Sequence, residues 1–125
     1  MPTRERVQQL IEAVVTGDHA EAIAQFYTDD ATMQENASEP RRGLAQLVAR
    51  ERKVTEAVAK IVSHRPDTVV VDGDHVAIHW RFEFTRGDGQ VRIVDEVALQ
   101  LWRGDKICRE RFFYDSPAAA WRDPP

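Results

Sequence analysis

The stretch Val76-Ala77-Ile78-His79-Trp80-Arg81-Phe82-Glu83-Phe84-Thr85 decides the fold. Val76, Ile78, Trp80, Phe82 and Phe84 alternate in it with Ala77, His79, Arg81, Glu83 and Thr85. A period of two belongs to a strand with one buried face. Gly87-Asp88-Gly89 follows and reads as a hairpin turn onto Val91 to Trp102. Arg103-Gly104-Asp105-Lys106 reads as a second turn, onto Ile107 to Tyr114. Before the long run, Thr68 to Val71 is a further strand, ended by the turn signal Asp72-Gly73-Asp74.

Toward the N-terminus the period lengthens to that of a helix. Val7, Leu10, Ile11, Val14 and Val15 form one apolar stripe, which Gly17 ends. Asp18 can cap a second helix, His19 to Tyr27, with Ile23, Phe26 and Tyr27 as its stripe. Ala31 to Glu35 reads as a short strand and Asn36 to Gly43 as a loop. A long helix is then expected from about Leu44 to Ile61, burying Leu44, Leu47, Val48, Val54, Val58 and Ile61. Helices followed mostly by antiparallel strands make an α+β fold. The expectation is three N-terminal helices packed on a curved, mixed, mostly antiparallel sheet. Residues 1–115 form this domain, and 116–125, with three prolines, a loose or partner-clasping tail.

Bulk properties narrow the function. A chain of 125 residues is one domain, and its net charge of -4 disfavours nucleic acid as a partner. Arg50-Glu51-Arg52-Lys53 is broken by an acid and reads as a solvated helix face. No apolar stretch is long enough for a signal peptide or a membrane span, and the single Cys108 fits a reducing cytoplasm. His75 and His79 share a strand face about 13 Å apart, too far for one metal ion. No metal-ligand cluster, phosphate loop or nucleophile motif emerges, so no metal is expected.

Register decides which side chains meet inside. With two-residue loops at Asp88-Gly89 and Gly104-Asp105, Phe82 pairs near Asp95, Trp80 near Val97, Leu99 near Glu110 and Val97 near Phe112. The buried face then holds Val76, Ile78, Trp80, Phe82, Ile93, Val97, Leu99, Leu101, Cys108, Phe112 and Tyr114. It also holds two acids, Asp95 and Glu110. Unless an arginine, a backbone group or water satisfies them, burial raises their pKa into the range of proton donors and bases near neutrality. A one-residue slip of the first hairpin would turn Glu96 inward in place of Asp95. On the opposite face, Trp102 and Phe113 stand among His79, Arg81, Glu83, Glu96, Gln100, Arg109 and Arg111. Large aromatics among charges there point to a homodimer through the outer sheet face.

The order of elements resembles the nuclear transport factor 2-like superfamily, the cystatin-like cone or α+β barrel of SnoaL-like polyketide cyclases and ketosteroid isomerases. The resemblance runs from about Arg4 to Asp115. It is sharpest at Gly17-Asp18, at Asp29-Asp30-Ala31-Thr32 and at Ser38-Glu39-Pro40-Arg41-Arg42-Gly43. It implies a catalytic base at Glu35, with Gln34 as the alternative, and a hydrogen-bond-donating acid at Asp95. It places Leu10 where the isomerases carry an oxyanion-binding tyrosine, so Tyr27 or Tyr114 would have to supply a hydroxyl. It also implies a small-molecule pocket that uses no cofactor. Catalytic Glu35 and Asp95 are thus expected, with Tyr27, Trp80, Phe82, Glu110, Phe112 and Tyr114 around the ligand. The expected function is isomerisation, cyclisation, hydration or dehydration of a mostly apolar carbonyl compound. The rivals are a binding module for a hydrophobic metabolite and a dimeric interaction domain whose cavity is plugged.

Overall fold

The computed structural model describes all 125 residues. Helix α1 (Arg4–Thr16) starts at Thr3, whose hydroxyl accepts the Arg6 amide at 3.0 Å. It stops at Gly17, where a Cβ would stand 2.7 Å from the Ala13 carbonyl oxygen. The Asp18 carboxylate then caps α2 (His19–Phe26) by accepting the Ala20 and Glu21 amides. Strand β1 (Tyr27–Glu35) and the two-residue β2 (Arg41–Arg42) lead into α3 (Leu44–Glu56). Strands β3 (Lys60–Ser63), β4 (Val69–Asp72), β5 (His75–Thr85), β6 (Val91–Arg103) and β7 (Lys106–Phe113) complete the chain.

The seven strands form one sheet in the order β2-β1-β7-β6-β5-β3, with β4 also on β5. All neighbours are antiparallel except β1 and β7, which run parallel. The α+β class, the three helices and the mixed sheet are as expected; the sheet curves but does not close. Val7, Leu10 and Ile11 of α1, Ile23 and Phe26 of α2 and Leu47 of α3 pack onto its inner face. There they meet Ile78 and Trp80 of β5, Ala98 and Trp102 of β6 and Ile107 of β7.

Two boundaries differ from expectation, and the first is β1, which begins at Tyr27, the expected last residue of the second helix, rather than at Ala31. The third helix ends at Glu56 rather than Ile61, because Lys60–Ser63 pair with β5, Ile61 lying opposite Phe84. Ile61 and Val62 are β-branched and suit a strand, and the free edge of β5 outweighs the helical spacing.

The larger difference is register. Arg86 N–H donates to the Gln90 carbonyl at 2.9 Å and Gly89 N–H to the Arg86 carbonyl at 3.0 Å. Gly89 takes a left-handed backbone, φ 87°. The loop is therefore the three residues Gly87-Asp88-Gly89, a turn followed by a glycine bulge, and not the two residues Asp88-Gly89. Phe82 pairs with Val94, Trp80 with Glu96 and Phe84 with Arg92. This one-residue slip turns every β6 side chain over. Val94, Glu96, Ala98, Gln100 and Trp102 point inward, while Asp95, Val97 and Leu99 point out.

A second irregularity restores β7. The register shifts between Leu101↔Arg109 and Trp102↔Ile107, leaving Cys108 as the extra residue. Glu110 stays inside, now opposite Gln100, while Ile107 takes the buried place expected for Cys108. The tail is not loose. Arg122 and Val91 exchange backbone hydrogen bonds of 2.8 and 2.9 Å, and the Ala119 carbonyl accepts Arg92 Nε–H at 2.7 Å. The segment thereby covers the β6 edge that β7, ending opposite Val97, leaves open.

Gly89→Ala puts a side chain on a left-handed backbone and is expected to destabilise the fold by about 1–2 kcal/mol. Urea unfolding should show a lower midpoint with an unchanged slope.

Candidate functional site

Between the helices and the inner sheet face lies a cavity of about 190 Å³. An apolar cavity of about 150 Å³ holds one benzene ring, so this space suits a single-ring compound. Its apolar wall comes from Leu10, Ile23 and Met33, and from the aromatic set Trp80, Phe82, Phe84 and Phe112. Trp80 and Phe82 stack at a centroid distance of 5.3 Å, which the alternation along β5 makes possible.

Buried carboxyl groups dominate the polar wall. Glu96, on β6, is 9% exposed and lines the cavity with no hydrogen bond to any protein group. Burial, and then the charges of Glu110, Glu35 and Glu51, push its pKa up to about 8; the Arg92 guanidinium offsets part of this. Glu96 therefore carries its proton at neutral pH and presents it to the cavity.

Glu110 is 2% exposed but fully engaged. The Tyr27 hydroxyl donates to its Oε1, and Gln100 Nε2 donates to its Oε2 at 2.6 Å. The Trp102 indole, which can only donate, meets Gln100 Oε1 at 2.9 Å and so fixes the amide with its NH₂ toward Glu110. Burial raises Glu110 to about 7 despite the lowering by these two donors, and burial beside Glu110 lifts the Tyr27 hydroxyl well above its ordinary range.

Glu35, at the end of β1, accepts Arg41 at 2.9 Å, and Arg50 lies 3.7 Å from the same oxygen. The Tyr114 hydroxyl donates to its other oxygen at 3.3 Å. Burial and the neighbouring Glu35 raise that hydroxyl's pKa. His19 lies between Ser63 Oγ, 2.9 Å from its Nε2, and Glu51, 3.6 Å from its Nδ1. No three His, Cys, Asp or Glu side chains converge as a metal site would require.

Seven of the eight residues expected at the site line this cavity: Glu35, Tyr27, Trp80, Phe82, Glu110, Phe112 and Tyr114. Trp80, Phe112 and Tyr114 surround the space without plugging it. Asp95 does not reach it. It stands on the outer face, 56% exposed, and its carboxylate meets His79 Nε2. The hairpin slip is the reason, and Glu96 holds the inward position instead. The expectation also had Gln100 and Trp102 outside and Val97, Leu99 and Leu101 inside; the same slip reverses them. Arg41, Arg50, Arg92, Glu51 and His19 also line the cavity: Arg92 through the hairpin slip, His19 from α2, Arg41 from β2, and Arg50 and Glu51 from the helix face expected to be solvated.

A SnoaL-like domain model matches residues 7–110. The chain belongs to the SnoaL-like family. A protein from Mesorhizobium loti, provisionally classed as a SnoaL-like polyketide cyclase, is 27% identical, with a TM-score of 0.75 over 91% of this chain and 100% of that one. A similarly classed protein from Jannaschia sp. CCS1 superposes with a TM-score of 0.78 at 21% identity, covering 97% and 92% of the two chains. TerC, crystallised with polyporic acid, gives 0.74 at 17% identity, covering 91% and 92%. No curated protein matches the sequence significantly. The SnoaL-like fold hosts many chemistries, so activity must be argued from the cavity. No helix is long and apolar enough to cross a membrane.

A raised folded-state pKa favours the protonated fold. The stability contributed by protonated Glu96 and Glu110 is complete below about pH 4.5, their ordinary value, and is lost as pH rises through 7 and 8. The Tm of the protein should fall between pH 5 and 8.5. Glu96→Gln should flatten that slope and raise the Tm at pH 8.5 by about 4 °C. Parallel slopes for the two proteins would show that Glu96 does not titrate in this range.

Proposed function

We propose that the cavity binds a small, mostly apolar carbonyl compound and moves its protons with two carboxyl groups and no resident cofactor. The observation that carries this reading is Glu96: buried, without a protein partner, and facing an apolar space. A protonated carboxyl there can donate to a carbonyl oxygen as negative charge develops on it. Glu35, engaged as a carboxylate by Arg41, is the base that removes the proton from the adjacent carbon. In an isomerisation the proton returns to another carbon; in a ring closure the enolate carbon bonds a second carbonyl carbon and the proton passes to the oxygen of that carbonyl; in a dehydration or hydration water is lost or added. The relatives classed as polyketide cyclases support a reaction of this kind. The ionic grip of Arg41 and Arg50 on Glu35 favours a second reading, a binding module that holds a metabolite unaltered. The unpaired Cys108 fits residence in a reducing cytoplasm.

A thermal-shift screen over small ketones and lactones should give hits, and NMR of each hit with enzyme should show turnover or proton exchange next to the carbonyl. Glu35→Gln and Glu96→Gln should each lower that rate by about 10²–10⁴-fold. Bound compounds recovered unchanged from every incubation would favour the binding module.

We also propose that a second copy of the chain covers the outer sheet face. Val97, Leu99 and Phe113 are each more than 40% exposed there, beside Leu101. A two-fold dimer would bury this patch against itself. Sedimentation velocity at micromolar concentration should show a dimer, and Leu99→Lys should leave a folded monomer. A monomeric parent protein would remove the proposal.

A further inference from the structure

Three arginines reach the cavity, and their partners differ. Arg41 and Arg50 both serve Glu35. Arg92, on the inner face of β6, has no carboxylate within ion-pair distance. Its Nε–H donates to the Ala119 carbonyl at 2.7 Å, and its two terminal nitrogens make no hydrogen bond within the protein. Arg92 is thus a half-buried guanidinium, held at its base by the C-terminal segment, with its recognition edge unused.

Charges around the cavity leave Arg92 unmatched. Three guanidinium groups and four acids line the cavity; Tyr27 and Gln100 hold Glu110, and Glu96 makes no ion pair with Arg92, which leaves Glu35 and Glu51. Arg41 and Arg50 engage the first, and His19 stands 3.6 Å from the second. A free guanidinium edge beside an apolar cavity is the arrangement that binds a planar anion through two parallel N–H···O bonds. Arg92 and Glu96 share one strand face, about 13 Å apart along the backbone before their side chains shorten the gap. A compound filling the cavity can therefore meet both.

Resting on the proton-transfer reading of this cavity, we infer that the ligand is a monocarboxylate. Arg92 grips its carboxylate at the opening, and its apolar ring and carbonyl group lie inward against Trp80 and Glu96. The substrate class narrows to single-ring keto acids, a size set by the cavity of about 190 Å³. Arg92 becomes the specificity-determining residue, and the Ala119 carbonyl fixes its direction. The C-terminal segment is then part of the binding site through this one hydrogen bond.

The test compares phenylpyruvate with phenylacetone, which shares the ring and ketone but lacks the carboxylate. Calorimetry on the whole protein should give phenylpyruvate at least about tenfold tighter binding, the size of one charge-assisted contact. Arg92→Met should weaken phenylpyruvate to the level of phenylacetone and leave phenylacetone unchanged. Arg92→Lys, which keeps the charge but not the fork, should recover part of the difference. Equal binding of the two compounds by the parent protein, or a preference that survives Arg92→Met, overturns the inference while the cavity reading stands. Binding of neither compound, with neutral ketones and lactones also inert, overturns both.

Discussion

The left-handed backbone at Gly89 governs the interior of this protein. It lets the β5–β6 hairpin close over three residues, and the length of that loop sets which face of β6 lies under the helices. No packing preference along β6 would have chosen the result. Val97, Leu99 and Leu101 face outward, while Glu96 and Gln100 are buried on the inner face beside Val94, Ala98 and Trp102. Turn geometry has overruled hydrophobic sorting over half a strand. The gain is a cavity with polar groups in it and an apolar outer surface free to meet a partner.

Two buried acids, so placed, have unlike fates. Glu110 is caught by donors on both oxygens, and the Trp102–Gln100 pair allows those donors only one orientation. Glu96 has no such support and faces open space. The first makes a rigid floor beneath Tyr27; the second is chemically available. Because they repel each other when ionised, each favours the proton on the other. Arginines are kept to the opening, where Arg41 and Arg50 are tied to Glu35.

The sequence was informative where one physical rule acted alone. Alternation through residues 76–85, the apolar stripe of the first helix and the Asp18 cap follow from periodicity and capping, and all three stand in the structure. Trp80, Phe82, Glu110, Phe112 and Tyr114 are legible as pocket residues because β5 keeps its alternation and the bulge at Cys108 returns β7 to its expected face, whereas Tyr27 is legible only through the family resemblance. Asp95 was misplaced because Gly-Asp-Gly fits both a two-residue and a three-residue loop, and the apolar residues of β6 favoured the wrong one. Ile61 reads as helical in the sequence because a helical stripe and a strand beside a free edge look alike over four residues. Arg92 carried no signal at all: its role depends on a backbone carbonyl 27 positions later.

The parallel pairing of β1 with β7 bears on the order in which the molecule is completed. Tyr27 and Glu110 are 83 positions apart, and the hydrogen bond between them crosses that seam. Without β7, nothing joins β1 to β6 and nothing lies beneath Tyr27. The cavity is enclosed only once β7 is in place between β1 and β6. The residues that line the cavity run from Leu10 to Tyr114, so it needs both the first helix and the stretch that follows the last strand.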